Sequence, residues 1–117
     1  MAKLIVDVSA PAEYARLMAT WKRGRVVLLF WDPSSEPCRV VRKVCEELAA
    51  ELAHDVRFAA VQGEALKQHS PKLESWELPT VLILQDGEVE CKFIGISESR
   101  FTFAMSLERQ ITGMGRL

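Results

Sequence analysis

Apolar positions along the chain follow two rhythms, and their alternation divides it into elements. Leu4-Ile5-Val6-Asp7-Val8 is a short strand-like run. Tyr14, Leu17, Met18 and Trp21 then recur at helical spacing, with Pro11 and Glu13 in a first turn and Ser9 placed to cap it. Lys22-Arg23-Gly24 ends that helix. Arg25 to Trp31 is apolar almost throughout, as suits a strand buried on both faces. A turn of Asp32, Pro33 and Ser34 leads into an amphipathic helix predicted from Ser35 to His54. Its apolar stripe is Cys38, Val41, Val44, Cys45, Leu48 and Leu52, and Arg42–Glu46 and Lys43–Glu47 form exposed pairs one turn apart.

Beyond Asp55 the pattern returns to strands. Val56 to Gln62 is the third, and Gly63 to Lys72 reads as a weak helix broken near Ser70-Pro71. Thr80 to Leu84 and Val89 to Ile94 flank Asp86-Gly87, a two-residue hairpin signal. Val89, Cys91 and Phe93 alternate with Glu88, Glu90 and Lys92, which predicts one core face and one solvent face. Gly95 ends this strand, and Phe103, Met105, Leu107 and Ile111 mark a final helix. The order predicts an α/β fold, a mixed sheet of about five strands with about four helices on its faces. No linker, repeat or composition shift divides it, so residues 1–117 are expected to form one domain.

Composition narrows the function classes. With 49% hydrophobic and 26% charged residues the chain reads as globular and ordered, and its net charge of −1 offers no basic stripe for nucleic acid. No apolar run approaches the roughly 20 residues of a membrane helix, and the N-terminus lacks a signal-peptide pattern. A cytoplasmic location is expected, with an organelle address on a longer parent chain left open.

The three cysteines, Cys38, Cys45 and Cys91, are an odd count. Two turns of one helix separate Cys38 from Cys45 by about 10 Å along the axis, beyond the roughly 7 Å that a disulfide allows. Three free thiols are therefore expected, and their spacing fits no zinc pattern, so neither metal nor cofactor is implied. Cys38 is the cysteine with candidate chemistry. It lies in the first turn of its helix, where the dipole favours thiolate, although Glu36 beside it opposes that. It also opens the apolar stripe, where a thiol serves as a small buried hydrophobe. Ser35 and Ser34 are good helix caps. His54 and His69 read as helix-end residues.

The stretch Phe30-Trp31-Asp32-Pro33-Ser34-Ser35-Glu36-Pro37-Cys38 resembles the active turn of thioredoxins. Leu78-Pro79-Thr80 resembles that family's cis-proline loop, and Asp86-Gly87-Glu88-Val89 with Gly95 its terminal hairpin. The resemblance covers essentially the whole chain and implies a thioredoxin fold. Cys38 then occupies the resolving-cysteine position and Ser35 replaces the attacking cysteine. Three further family residues are missing: Leu29 stands at the buried carboxylate, Ala60 at the lysine of the third strand and Lys43 at the helix-kinking proline. The resemblance thus implies no two-cysteine reductase cycle, and it leaves Cys38 as a candidate monothiol oxidoreductase residue.

Two thioredoxin-like groups keep only the second cysteine. One is the N-terminal domain of multidomain monothiol glutaredoxins, similar here at Trp31-x-Pro33 and Ser35-Glu36-Pro37-Cys38-Arg39, with Met1 close before the first strand. That resemblance implies an adaptor in redox and iron–sulfur homeostasis with a covalently linked glutaredoxin domain. The other is the phosducin-like proteins, similar at Leu78-Pro79-Thr80 and Lys92-Phe93-Ile94-Gly95, which implies a chaperonin or G-protein βγ partner. Under either, a protein partner is expected on the face of Trp31, Pro33, Trp76, Leu78, Pro79 and Ile96, rimmed by Asp32, Glu36 and Glu77. Trp76 and Trp31 each also admit a packing role.

Overall fold

The computed structural model of the protein describes residues 4–52, 56–63, 78–94 and Arg109. Seven elements follow in order: β1 (Ile5–Val8), α1 (Pro11–Thr20), β2 (Arg25–Trp31), α2 (Glu36–Leu52), β3 (Val56–Gln62), β4 (Thr80–Gln85) and β5 (Glu88–Ile94). The strands form one mixed sheet in the order β1-β3-β2-β4-β5. β1, β3 and β2 run parallel, and β4 and β5 continue the sheet antiparallel. The weak helix expected over 63–72 and the final helix around Phe103 to Ile111 lie outside the described residues, so two of the four expected helices are seen.

The central place of β2 explains its composition. With β3 on one edge and β4 on the other, only its two faces carry side chains into the core, and both are covered. Val27 and Leu29 join Ile5, Phe58, Ala60, Val81 and Ile83 beneath the α2 residues Val41, Val44, Cys45 and Leu48. Val26, Leu28 and Phe30 join Val8, Val61 and Leu82 on the opposite face, where Tyr14, Leu17, Met18 and Trp21 of α1 pack. Tyr14 meets Phe30 edge-on, with ring centroids 6.2 Å apart.

Local chemistry corrects two expectations. Ser9 does not cap α1: Ala10 holds the cap position without a side-chain bond, while the Ser9 N–H donates to Glu13 Oε1 at 3.1 Å. Glu13 thus folds back over the helix start and holds Ser9, accepting from both its N–H and its hydroxyl. In β5 the expected alternation breaks at Val89. Ile83 pairs with Cys91 but Leu84 with Val89, a bulge that leaves Glu90 as the extra residue. Cys91 and Phe93 keep the core face, half-buried, while Val89 is turned off it and is 55% exposed. The hairpin itself is as expected: Asp86 (φ 51°) and Gly87 (φ 86°) are both left-handed, as a tight two-residue turn demands. Asp86 also ties the hairpin to the α1–β2 loop. Its Oδ1 accepts the Gly24 N–H at 2.8 Å, and its own N–H donates to the Gly24 carbonyl at 2.9 Å.

Candidate functional site

The site lies at the carboxyl ends of β2 and β3, where the chain enters α2 and β4. Trp31 closes β2 and stands beside Gln62 of β3. Phe30 pairs with Thr80, so the antiparallel register brings Pro79 level with Trp31 on the other side. The Leu78–Pro79 bond is cis, as the resemblance implied. A Cβ built on Gly63 would stand 3.1 Å from Leu78 Cδ1, so the leucine lies close over the end of β3. Trp31 is half-buried, Pro33 and Leu78 are exposed and Pro79 is buried. Trp76, Glu77 and Ile96 lie outside the described residues.

The turn between Trp31 and α2 is fixed by its own polar atoms. Asp32 Oδ1 accepts the Ser34 N–H at 2.9 Å and the Ser34 hydroxyl at 2.8 Å. Those bonds hold its carboxyl below the usual carboxylate range. The Ser35 N–H donates to the Asp32 carbonyl at 3.0 Å, and the Ser35 carbonyl accepts the Arg39 N–H at 3.1 Å. Arg39 also reaches back from α2 to donate to the Pro33 carbonyl at 3.1 Å. Ser35, expected to cap α2, stands just before it and takes part through its backbone, while the side-chain bonds of the turn come from Asp32, Ser34 and Arg39.

Cys38 follows in the first turn of α2 with no exposed surface. All three cysteines are free. Burial pushes the Cys45 thiol up to about 12 and raises that of Cys91 as well. Beneath α2 a row of side chains crosses the sheet from Asp7 through Ala60, Leu29 and Val81 to Phe93. Leu29 and Ala60 are both buried, so the middle of this row holds neither a proton acceptor nor a cation. Among the described residues no group of three or more His, Cys, Asp or Glu side chains could hold a metal ion.

A cluster of charged groups lies at the β1 end of that row. Arg42 pairs with Asp7 through Nη1 and with Glu46 through Nε at 3.2 Å. Its Nη2 lies 3.4 Å from Asp7 Oδ2, and its Cζ sits 4.9 Å from the centroid of the Trp31 ring. Burial works against the charge on Arg42, but the hydrogen bonds and charges of the two carboxylates outweigh it and raise its pKa. The sequence showed the Arg42–Glu46 pair and missed Asp7 and Trp31 as partners. One signal was available: Asp7 shares the face of Ile5, where a core residue would be expected.

The model of the thioredoxin family matches residues 5–106, nearly the whole chain. The chain belongs to the thioredoxin family. It is 31% identical to thioredoxin of Bacillus subtilis over 71 residues, which cover 61% of this chain and 68% of that protein. It is 29% identical to glutaredoxin-3 of Mus musculus over 84 residues, 72% of this chain but only 25% of that much longer relative. Thioredoxin NaTrxh of Nicotiana alata superimposes with a TM-score of 0.79 at 17% identity, covering 97% of this chain and 94% of that one. As a member of the thioredoxin family the domain carries its fold and its cis-proline loop. Ser35, Leu29 and Ala60 hold the places that the family resemblance gives to the nucleophile, the buried carboxylate and the lysine. Lys43 is exposed at the place of the helix-kinking proline, and α2 is a single helix through it.

Proposed function

We propose that this thioredoxin-fold domain is a protein-binding module of cell redox and iron–sulfur homeostasis that does not run the two-cysteine cycle. One observation carries the proposal: Cys38, the thiol of the turn, has no exposed surface, while the attacking position implied by the family resemblance falls on Ser35. Thiol–disulfide exchange needs a thiolate that can reach its substrate. A serine hydroxyl stays protonated and forms no mixed disulfide. The absence of a carboxylate and a lysine at Leu29 and Ala60 removes the proton handling as well. Cys38 as a lone monothiol catalyst is the weaker alternative, because its sulfur must first become accessible.

The docking surface is kept. An exposed Pro33, the half-buried Trp31 ring, the exposed Leu78 and the cis-proline loop offer apolar surface beside backbone groups that can pair with an extended peptide. Asp32 and Glu36 are exposed at its rim. Trp76 and Ile96 are proposed to extend it. Similarity to glutaredoxin-3 supports a glutaredoxin domain of the Cys-Gly-Phe-Ser type as partner, in cis or in trans.

Two measurements test the proposal. The domain should not reduce insulin disulfides with a thiol reductant above the uncatalysed rate; thioredoxin-like turnover refutes it. Titration with an isolated Cys-Gly-Phe-Ser glutaredoxin domain should move amide and side-chain resonances of Trp31, Ser34 and Leu78. Shifts confined to the Asp86–Gly87 end of the sheet would place the partner elsewhere.

A further inference from the structure

We infer that Arg42 is a positioning residue that fixes the ring of Trp31 at the proposed docking face. The starting observation is the Trp31 indole. Its Nε1 is buried and has no hydrogen-bond partner among the described residues. A buried indole N–H normally finds an acceptor, which then sets the orientation of the ring. Among the described residues none supplies that restraint, and the ring is held instead from its face.

Arg42 supplies the hold. Its guanidinium carbon lies 4.9 Å from the ring centroid, and its side chain is only 18% exposed. The fork itself cannot wander, because Nε is bonded to Glu46 at 3.2 Å and both Nη atoms face Asp7. A chain of contacts therefore runs from the edge strand β1, through Asp7 and Arg42, to the last residue of β2. β3 lies between, with the methyl group of Ala60 opposite Asp7 and Leu29 and Gln62 opposite Trp31. Arginine suits the task because a planar fork can meet two carboxylates while lying on an aromatic face. Lysine, a single point charge, cannot do both.

The use of a fixed ring rests on the docking function proposed above, but the hold itself can be measured without any partner. The full chain is labelled with ¹⁵N, and the indole N–H signals of its three tryptophans are recorded, that of Trp31 being assigned with Trp31→Phe. Arg42→Met keeps the stem and removes the charge. It should speed solvent exchange of the Trp31 indole N–H about tenfold, equivalent to ~1.4 kcal/mol and within the range of a desolvated cation–π contact. Arg42→Lys should not restore the slow rate, and Asp7→Asn should give an intermediate one. The Trp21 indole and the Ile83 backbone amide serve as controls and should keep their rates. A Trp31 rate within about twofold of wild type in Arg42→Met overturns the inference. So does an equal acceleration at Ile83, which would mean a general loss of stability. Asp7→Asn keeps the test open if Arg42→Met does not fold.

Discussion

Replacing Ser35 with cysteine restores the spacing of a two-thiol active turn, and the structure sets how far the rescue should go. The bonds that Ser35 makes in the turn are backbone bonds, to Asp32 and from Arg39, and they survive the substitution. The fold should accordingly tolerate it, since no side-chain bond of Ser35 among the described residues is lost. The new thiol lies at the positive end of α2, which lowers its pKa, and three residues before Cys38. Side chains at that spacing on a helix stand about 5–6 Å apart at Cβ, so a small adjustment closes a disulfide. The variant is expected to oxidise internally with loss of two hydrogens by mass spectrometry. Insulin turnover should appear but stay far below a true thioredoxin. Leu29, buried opposite Ala60, offers no base for the Cys38 proton, and general-base help is typically worth about 10²–10⁴-fold. Adding Leu29→Asp should raise the rate while lowering stability. The leucine is 1% exposed, and truncating such a side chain alone costs about 2–5 kcal/mol before the buried carboxylate is counted. The double variant should melt on the order of 10 °C lower. If Ser35→Cys forms no internal disulfide while remaining folded, Cys38 is not the resolving cysteine and the register of the whole turn is wrong.

Three further expectations concern pH and packing. Cys45 has a pKa raised to about 12 by burial, so its contribution to stability is intact below the ordinary thiol value and declines as pH rises toward 12. Denaturant titrations above pH about 8.5 should show that decline, by up to ~1.4 kcal/mol per pH unit, and Cys45→Ala should flatten it; an unchanged slope would contradict the burial of the thiol. Asp86, held below its ordinary pKa by the Gly24 N–H, contributes above the unfolded carboxylate value and loses its contribution as pH falls through its folded one; Asp86→Asn should flatten acid unfolding in that window. Gly63→Ala should displace Leu78, because the new methyl would meet its Cδ1 at 3.1 Å; a moved Leu78 methyl resonance with little change in melting temperature is expected, and an unmoved one would count against that packing.

The sequence by itself determined the fold class. Helical spacing in α1 and α2, unbroken apolar character in β2 and the Asp86-Gly87 turn are local signals, because a residue's periodicity is fixed by its own backbone geometry. The proposed replacement of the attacking cysteine by Ser35 also rests on the sequence, being a matter of residue type three positions before Cys38. What stood several strands apart was not legible. Asp7 and Arg42 are 35 residues apart in sequence, and only the order β1-β3-β2 sets Asp7 and Trp31 on the same face on either side of β3. The bulge at Val89 depends on pairing with β4, not on the alternation within β5, which is why the pattern put Val89 in the core and the sheet put it outside. The Ser9 cap did not form, Ser9 being held by Glu13 instead, and at the start of α2 the side-chain bonds came from Asp32, Ser34 and Arg39. At each helix start several polar side chains compete for the same few backbone groups, and short-range sequence preference does not decide among them. The burial of Cys38 is likewise tertiary: its stripe was visible along α2, but how completely the sulfur is covered depends on what packs over that first turn.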